Sequence, residues 1–323
     1  MPSSVNGVDI DGSIHAADKS SIDDLSDSAR EHLDGVRMSE SERLEIIANA
    51  VKAFNGSNRE KAKRLCEAGL DRFPADPSLS HLLAAVLFAE EDFSRAREKI
   101  EASLAVQPRN APALILAGKI YRAEHKLEAA LVQLEKAARI EFRLEVFAEK
   151  ARIFEQMDNK SAARDAWNVV LKANPTSQEA LKRLSGLARE RGALADAEHL
   201  LERAVALEDH PGIWFDLALV RHDLRKFDGA AEAYRHVLQL NPDAPEAAVN
   251  LGVVLQEAGR MDEAMTAFSK AYALDGSTFG MIAMALTSAP HGRLWLDEAA
   301  LRQSLLSGAA ALGPKSLAVD ARG

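Results

Sequence analysis

Seven alanines recur along this chain at steps of 34 or 33 residues: Ala62, Ala96, Ala130, Ala163, Ala197, Ala230 and Ala264. A step this regular means one supersecondary unit used over and over, which constrains the fold more than any other feature of the sequence. Two further columns keep the same step. A small residue precedes each alanine in Ala50, Ala84, Gly118, Ala151, Ser185, Ala218 and Gly252, and a bulky one follows it in Cys66, Ile100, Leu134, Trp167, Leu201, Tyr234 and Phe268. A methyl side chain lets two helices approach closely where a larger group would hold them apart. The bulky column then fills the space beside the small ones, so that small and large surfaces interlock between neighbours.

The register divides the chain into units 43–76, 77–110, 111–143, 144–177, 178–210, 211–244 and 245–278. Pro74, Pro108, Pro175 and Pro242 end four of them, since proline and the residue before it leave helical geometry. Phe142, Asp209 and Gly276 stand where proline is missing. Capping-box spacing at Ser39 and Glu42, Ser57 and Glu60, Thr176 and Glu179, and Asp243 and Glu246 predicts helix starts there. Lys150 and Arg221 break the apolar pattern. Only 5% of residues are aromatic, and alanine and leucine abound, which favours helix nearly throughout.

The unit 245–278 shows the pattern most clearly, with Leu251, Gly252 and Leu255 on its first helix and Ala264, Phe268 and Ala271 on its second. In these positions the chain resembles the tetratricopeptide-repeat (TPR) family. The resemblance covers 236 of 323 residues. It implies an all-α fold: a right-handed superhelical solenoid of about seven helix-turn-helix units with a C-terminal capping helix.

The flanks read differently. Residues 1–42 form an acidic leader, expected to be largely disordered, with a formal charge of -7 out of -9 for the whole chain. A short amphipathic helix from about Ile22 to Val36 is predicted within it, as an N-terminal cap or as a segment lying in the chain's own groove. Residues 279–308 are read as a C-terminal cap: a helix over Phe279–Ser288, an anchor at Trp295, and a last helix from Asp297 to about Ser307 stopped by Gly308. A flexible tail is expected over 309–323.

Chemistry has no visible seat. None of the nine histidines stands in a metal-binding pair, and no phosphate loop, nucleophile elbow or dinucleotide fingerprint is present. Cys66, the only cysteine, fills the bulky column and reads as a buried thiol. We therefore expect no enzyme activity, cofactor or metal. The near-neutral repeat region lacks the clustered basic surface that nucleic acid requires, and no stretch of about 18 uncharged apolar residues would span a membrane. The start lacks an export signal, so cytoplasmic localisation is expected.

In the TPR family the first helix of each unit lines the concave groove. Resemblance assigns to that groove Ile47, Val51, Phe54, His81, Ala85 and Phe88 as an apolar end. Lys119, Arg122, Arg152, Lys182 and Arg189 follow as a locally basic middle, interrupted by Glu145, Glu155 and Glu179. Phe215, Leu219, Val249, Asn250, Val253 and Gln256 form the last part. The implied function is a scaffold or adaptor holding a protein or peptide in the groove, with acidic segments among the partners its basic middle could pair with. The alternative is a non-catalytic subunit of an enzyme or export complex, for example in surface polysaccharide assembly or protein glycosylation. Self-association through an open end is also compatible. The lysine and asparagine set of the carboxylate clamp is incomplete, since Gly186 stands in the asparagine's place beside Lys182.

Overall fold

A computed structural model of the chain describes residues 27–288 and 297–316. Every regular element among them is helical. In order these are α1 (Asp27–Asn55), α2 (Arg59–Arg72), α3 (Pro77–Ala89), α4 (Phe93–Val106), α5 (Ala111–Ala123), α6 (Leu127–Ile140), α7 (Leu144–Gln156) and α8 (Lys160–Ala173). Then come α9 (Gln178–Glu190), α10 (Leu194–Leu207), α11 (Pro211–Asp223), α12 (Phe227–Leu240), α13 (Pro245–Glu257), α14 (Met261–Leu274), α15 (Phe279–Ser288) and α16 (Glu298–Ser316). The chain divides into two compact units, residues 1–166 and 167–323, the division falling within α8.

Within each unit the helices pair as hairpins. In the first, α1 packs on α2, α3 on α4 and α5 on α6; in the second, α9 packs on α10, α11 on α12 and α13 on α14. Between hairpins α2 packs on α3, α4 on α5, α6 on α7, α10 on α11 and α12 on α13.

The three columns read from the sequence form the core. All seven column alanines are 0% exposed, as are Cys66, Trp167, Tyr234 and Phe268. A Cβ added at Gly118 would stand 2.8 Å from Leu134, and one at Gly252 would stand 2.4 Å from the Phe268 ring. The small and bulky columns thus interlock across the two helices of one hairpin rather than between neighbouring units.

Three residues join the helices of every hairpin, and the middle one is always left-handed. These are Ser57, Glu91, His125, Asp158, Gly192, Arg225 and Gly259, with φ between 54° and 78°. Four residues link one hairpin to the next except before α7 and α11, where three do, which accounts for the two 33-residue units. Neither short link has a proline. In the second of them Asp209 accepts a hydrogen bond from Trp214 Nε1 at 2.7 Å and lies 2.8 Å from His236 Nε2. These contacts hold its carboxyl below the usual range and tie the link to both helices of the following hairpin.

Several boundaries differ from expectation. Ser39 lies inside α1, which runs without interruption from Asp27 through the limit drawn at residue 42. Asn58 and not Ser57 caps α2, accepting from Lys61 N at 3.1 Å, because Ser57 takes the left-handed turn position. Ser177 and not Thr176 caps α9, since Thr176 is engaged with Asn174. The N-cap of α13 is Ala244, without a side-chain cap, and not Asp243.

At the other end Asp297 does start the last helix, its Oδ1 accepting from Ala299 N at 2.8 Å. Gly308 does not stop it. A Cβ there would meet Ser269 Oγ at 2.4 Å, so the glycine permits close packing of α16 on α14 and the helix continues to Ser316. Ile22 and Trp295 lie outside the described residues.

Candidate functional site

The first helices of successive hairpins in the first unit enclose a cavity of about 550 Å³. Phe54 comes from α1, His81, Ala85 and Phe88 from α3, Pro112, Ile115, Leu116 and Lys119 from α5, and Glu145 from the start of α7. Asn55, Ser57, Arg59, Ala89 and Arg143 complete its rim. Phe54 and Phe88 also rest on the core beneath, so their rings are held in place from behind. Burial pushes the His81 imidazole down to about 4, which leaves it neutral near pH 7. The floor is therefore apolar and uncharged, with polar groups around it.

Of the residues assigned to the groove from the sequence, Phe54, His81, Ala85, Phe88 and Lys119 meet at this cavity. Val51 lies half-buried against the core, and Ile47 is only 4% exposed, so Ile47 belongs to the core rather than to any presented surface. Ile115, a core residue at 2% exposure that borders the cavity, and Leu116, half-buried, were not named from the sequence. They stand in the same columns as His81 and Leu82, so carrying the register through the third unit identifies them.

The charged middle differs from expectation. Lys119 pairs with Glu145, while Glu149, buried at 3% exposure, accepts from Arg122 Nε at 3.0 Å and also from Arg152. Lys119 and Arg122 of α5 thus pair with carboxylates of α7, and beside the apolar cavity floor this face carries ion pairs rather than a basic surface. Lys182 and Arg59 lack a carboxylate within ion-pair distance among the described residues, and Arg59 Nη1 donates to the Ala89 carbonyl at 3.0 Å instead.

In the second unit Arg189 Nε donates to Asp223 at 2.6 Å, and His222 Nε2 lies 3.1 Å from Glu257. Phe215 sets its ring edge-on to Tyr234 at 5.5 Å. Leu219, Asn250 and Val253 are half-buried, Lys182 is exposed, and Val249 at 5% exposure is part of the core. Asp216, half-buried beside Phe215, has its carboxyl pushed up by desolvation, against the pull of Lys182 and Arg189. Arg221, which breaks the apolar pattern, reaches the Gly229 carbonyl and the carboxylates of Glu198 and Glu202.

Cys66 is buried, and desolvation pushes its thiol up to about 12, far from the thiolate a nucleophile needs. Among the described residues no three His, Cys, Asp or Glu side chains gather as a metal site would require, and no helix is long and apolar enough to cross a membrane.

The tetratricopeptide-repeat family matches residues 81–143, 149–212 and 215–277, more than half of the chain. The chain belongs to this family, a fold that typically serves protein–protein interaction without catalysis. Solved structures agree in fold. PilF of Pseudomonas aeruginosa is 19% identical with a TM-score of 0.56, covering 64% of this chain and 96% of its own. The C-terminal part of a repeat-containing protein from Cytophaga hutchinsonii is 13% identical with a TM-score of 0.60, over 72% of this chain and 96% of its own. A tetratricopeptide repeat protein from Parabacteroides merdae is 15% identical with a TM-score of 0.53, over 76% and 99%. A search of curated protein sequences finds no match.

Proposed function

We propose that the chain is an interaction scaffold holding a partner protein or peptide on the first-helix face of its hairpins, with the cavity of the first unit as the anchor point. The observation that carries this reading is the cavity itself. Its volume lies within the range of small binding pockets, its floor is apolar, and a neutral imidazole replaces a charge where an apolar side chain would insert. An anchoring side chain of the partner would rest among Phe54, Ala85, Phe88 and Leu116, while Arg59 offers a cation to an acidic neighbour.

The ion pairs elsewhere on this face argue for recognition by an apolar anchor more than by net charge. A cytoplasmic setting fits the single, buried cysteine.

The test fills the cavity. Ala85→Trp should leave the helical circular dichroism of the chain intact and remove those partners that the parent chain retains in a pull-down followed by mass spectrometry. Identical partner sets from both chains would overturn the reading.

A further inference from the structure

The second unit has a cleft on the opposite side of its hairpins, where the second helices α12 and α14 part above α13. Its volume is about 360 Å³. Leu251 and Leu255 of α13 form its floor, and Leu238 and Ala267 its walls. Along the edge the Glu263 carboxylate pairs with Arg235 at 3.0 Å and with Arg260 at 2.7 Å. That leaves Lys270 as the cation of the cleft.

Lys270 is half-buried and has no carboxylate within ion-pair distance among the described residues. Desolvation lowers its pKa, with only a partial opposing pull from Asp243, so the ammonium is held at a cost that an anion beside it would offset. Lys270 stands one turn from Ala267 on the same helix face, which puts the cation next to the apolar lining. Gln239 sets its carboxamide 3.1 Å from His236 Nδ1, and in either orientation of the amide at least one N–H is left to meet a carbonyl.

A charge directly beside an apolar surface, with an amide donor nearby, matches one chemical arrangement closely. At the carboxyl terminus of a polypeptide, the carboxylate is joined to the carbon that bears the last side chain, and a peptide carbonyl precedes it. A hydrocarbon acid would leave the amide donor unused, and the cleft has room for only one or two side chains. We propose that this cleft binds the carboxyl-terminal residue of a partner polypeptide, its apolar side chain on Leu251 and Leu255 and its carboxylate on Lys270. The site is independent of the first-helix face described above.

The experiment measures anisotropy of a fluorescein-labelled heptapeptide of glycine and serine that ends in leucine, against the same peptide with a terminal amide. Both are titrated with the full chain and with its Lys270→Gln and Lys270→Arg variants. The free acid should bind the parent chain about tenfold or more tightly than the amide, the gain expected of a charge-assisted hydrogen bond. Lys270→Gln should abolish that preference and Lys270→Arg should retain it. Equal affinity for acid and amide, a preference that survives Lys270→Gln, or no binding of either peptide at millimolar concentration would each overturn the proposal.

Discussion

Gly252 and Phe268 face each other across one hairpin so closely that a methyl group on the glycine would lie 2.4 Å from the aromatic ring. Gly186 sits at an equally helical position with nothing within 4 Å. The same substitution should therefore have opposite signs at the two sites. Gly252→Ala forces the 0%-exposed ring aside and should destabilise by about 1–3 kcal/mol, overriding the better helix propensity of alanine. Gly186→Ala gains that propensity alone and should stabilise by about 0.5–1 kcal/mol. Equilibrium urea unfolding of both variants checks this; equal signs would contradict the packing assigned to the column.

The hairpin turns give a second paired expectation. His125 holds φ at 57° and Gly259 at 78°, both in the middle of a three-residue turn. A left-handed conformation costs a residue with a Cβ about 1–2 kcal/mol, against about 0.5–1 kcal/mol of extra chain entropy lost by glycine. His125→Gly should then raise the thermal midpoint slightly, and Gly259→Ala should lower it. A lowered midpoint for His125→Gly would show that the turn is not strained.

How much of this was legible in the sequence follows from what each feature depends on. The three core columns set helix–helix distances through side-chain size, so the periodic alanines revealed the hairpins directly. The 33-residue steps marked the two short links. The cap of α2 falls one residue later than its capping box suggests because the left-handed turn position has no chemical signature: Ser57, Glu91, His125, Asp158 and Arg225 occupy it as well as glycine does. Pairs such as Arg122 with Glu149 depend on how adjacent hairpins stack, a distance that local spacing does not reveal. The cavity and the Lys270 cleft are likewise products of stacking, although Ile115 and Leu116 stood in columns already recognised.

The paired charges on the first-helix face predict unequal roles for residues that look alike in the sequence. Glu149 accepts from both Arg122 and Arg152 while almost wholly buried, so Glu149→Gln removes the buried anion that the two guanidinium groups share. The expected loss is about 3 kcal/mol, the scale of a broken buried ion pair. Lys182 is exposed and has no ion-pair partner among the described residues, so Lys182→Gln should change stability by less than about 0.5 kcal/mol. Denaturation midpoints that place the two variants together would remove the distinction.

His81 supplies a pH dependence whose sign is fixed by its burial. Its pKa falls from the ordinary 6.5 to about 4 because the charged imidazole loses water in the cavity wall. Between those values the unfolded chain binds a proton that the folded chain does not. Stability therefore declines as pH is lowered through this window, and the contribution levels off once pH is below the folded value. Above pH 6.5 both states hold a neutral ring and His81 adds no pH dependence. Carboxylates elsewhere also respond to acid, so the informative quantity is the stability difference between the parent chain and His81→Phe. Measured by urea unfolding at steps between pH 7.5 and about 4, that difference should be constant at the upper end and shift in favour of the variant on acidification. A difference independent of pH would mean that His81 is solvated, and the cavity floor would then lose the neutral character on which an apolar anchor depends.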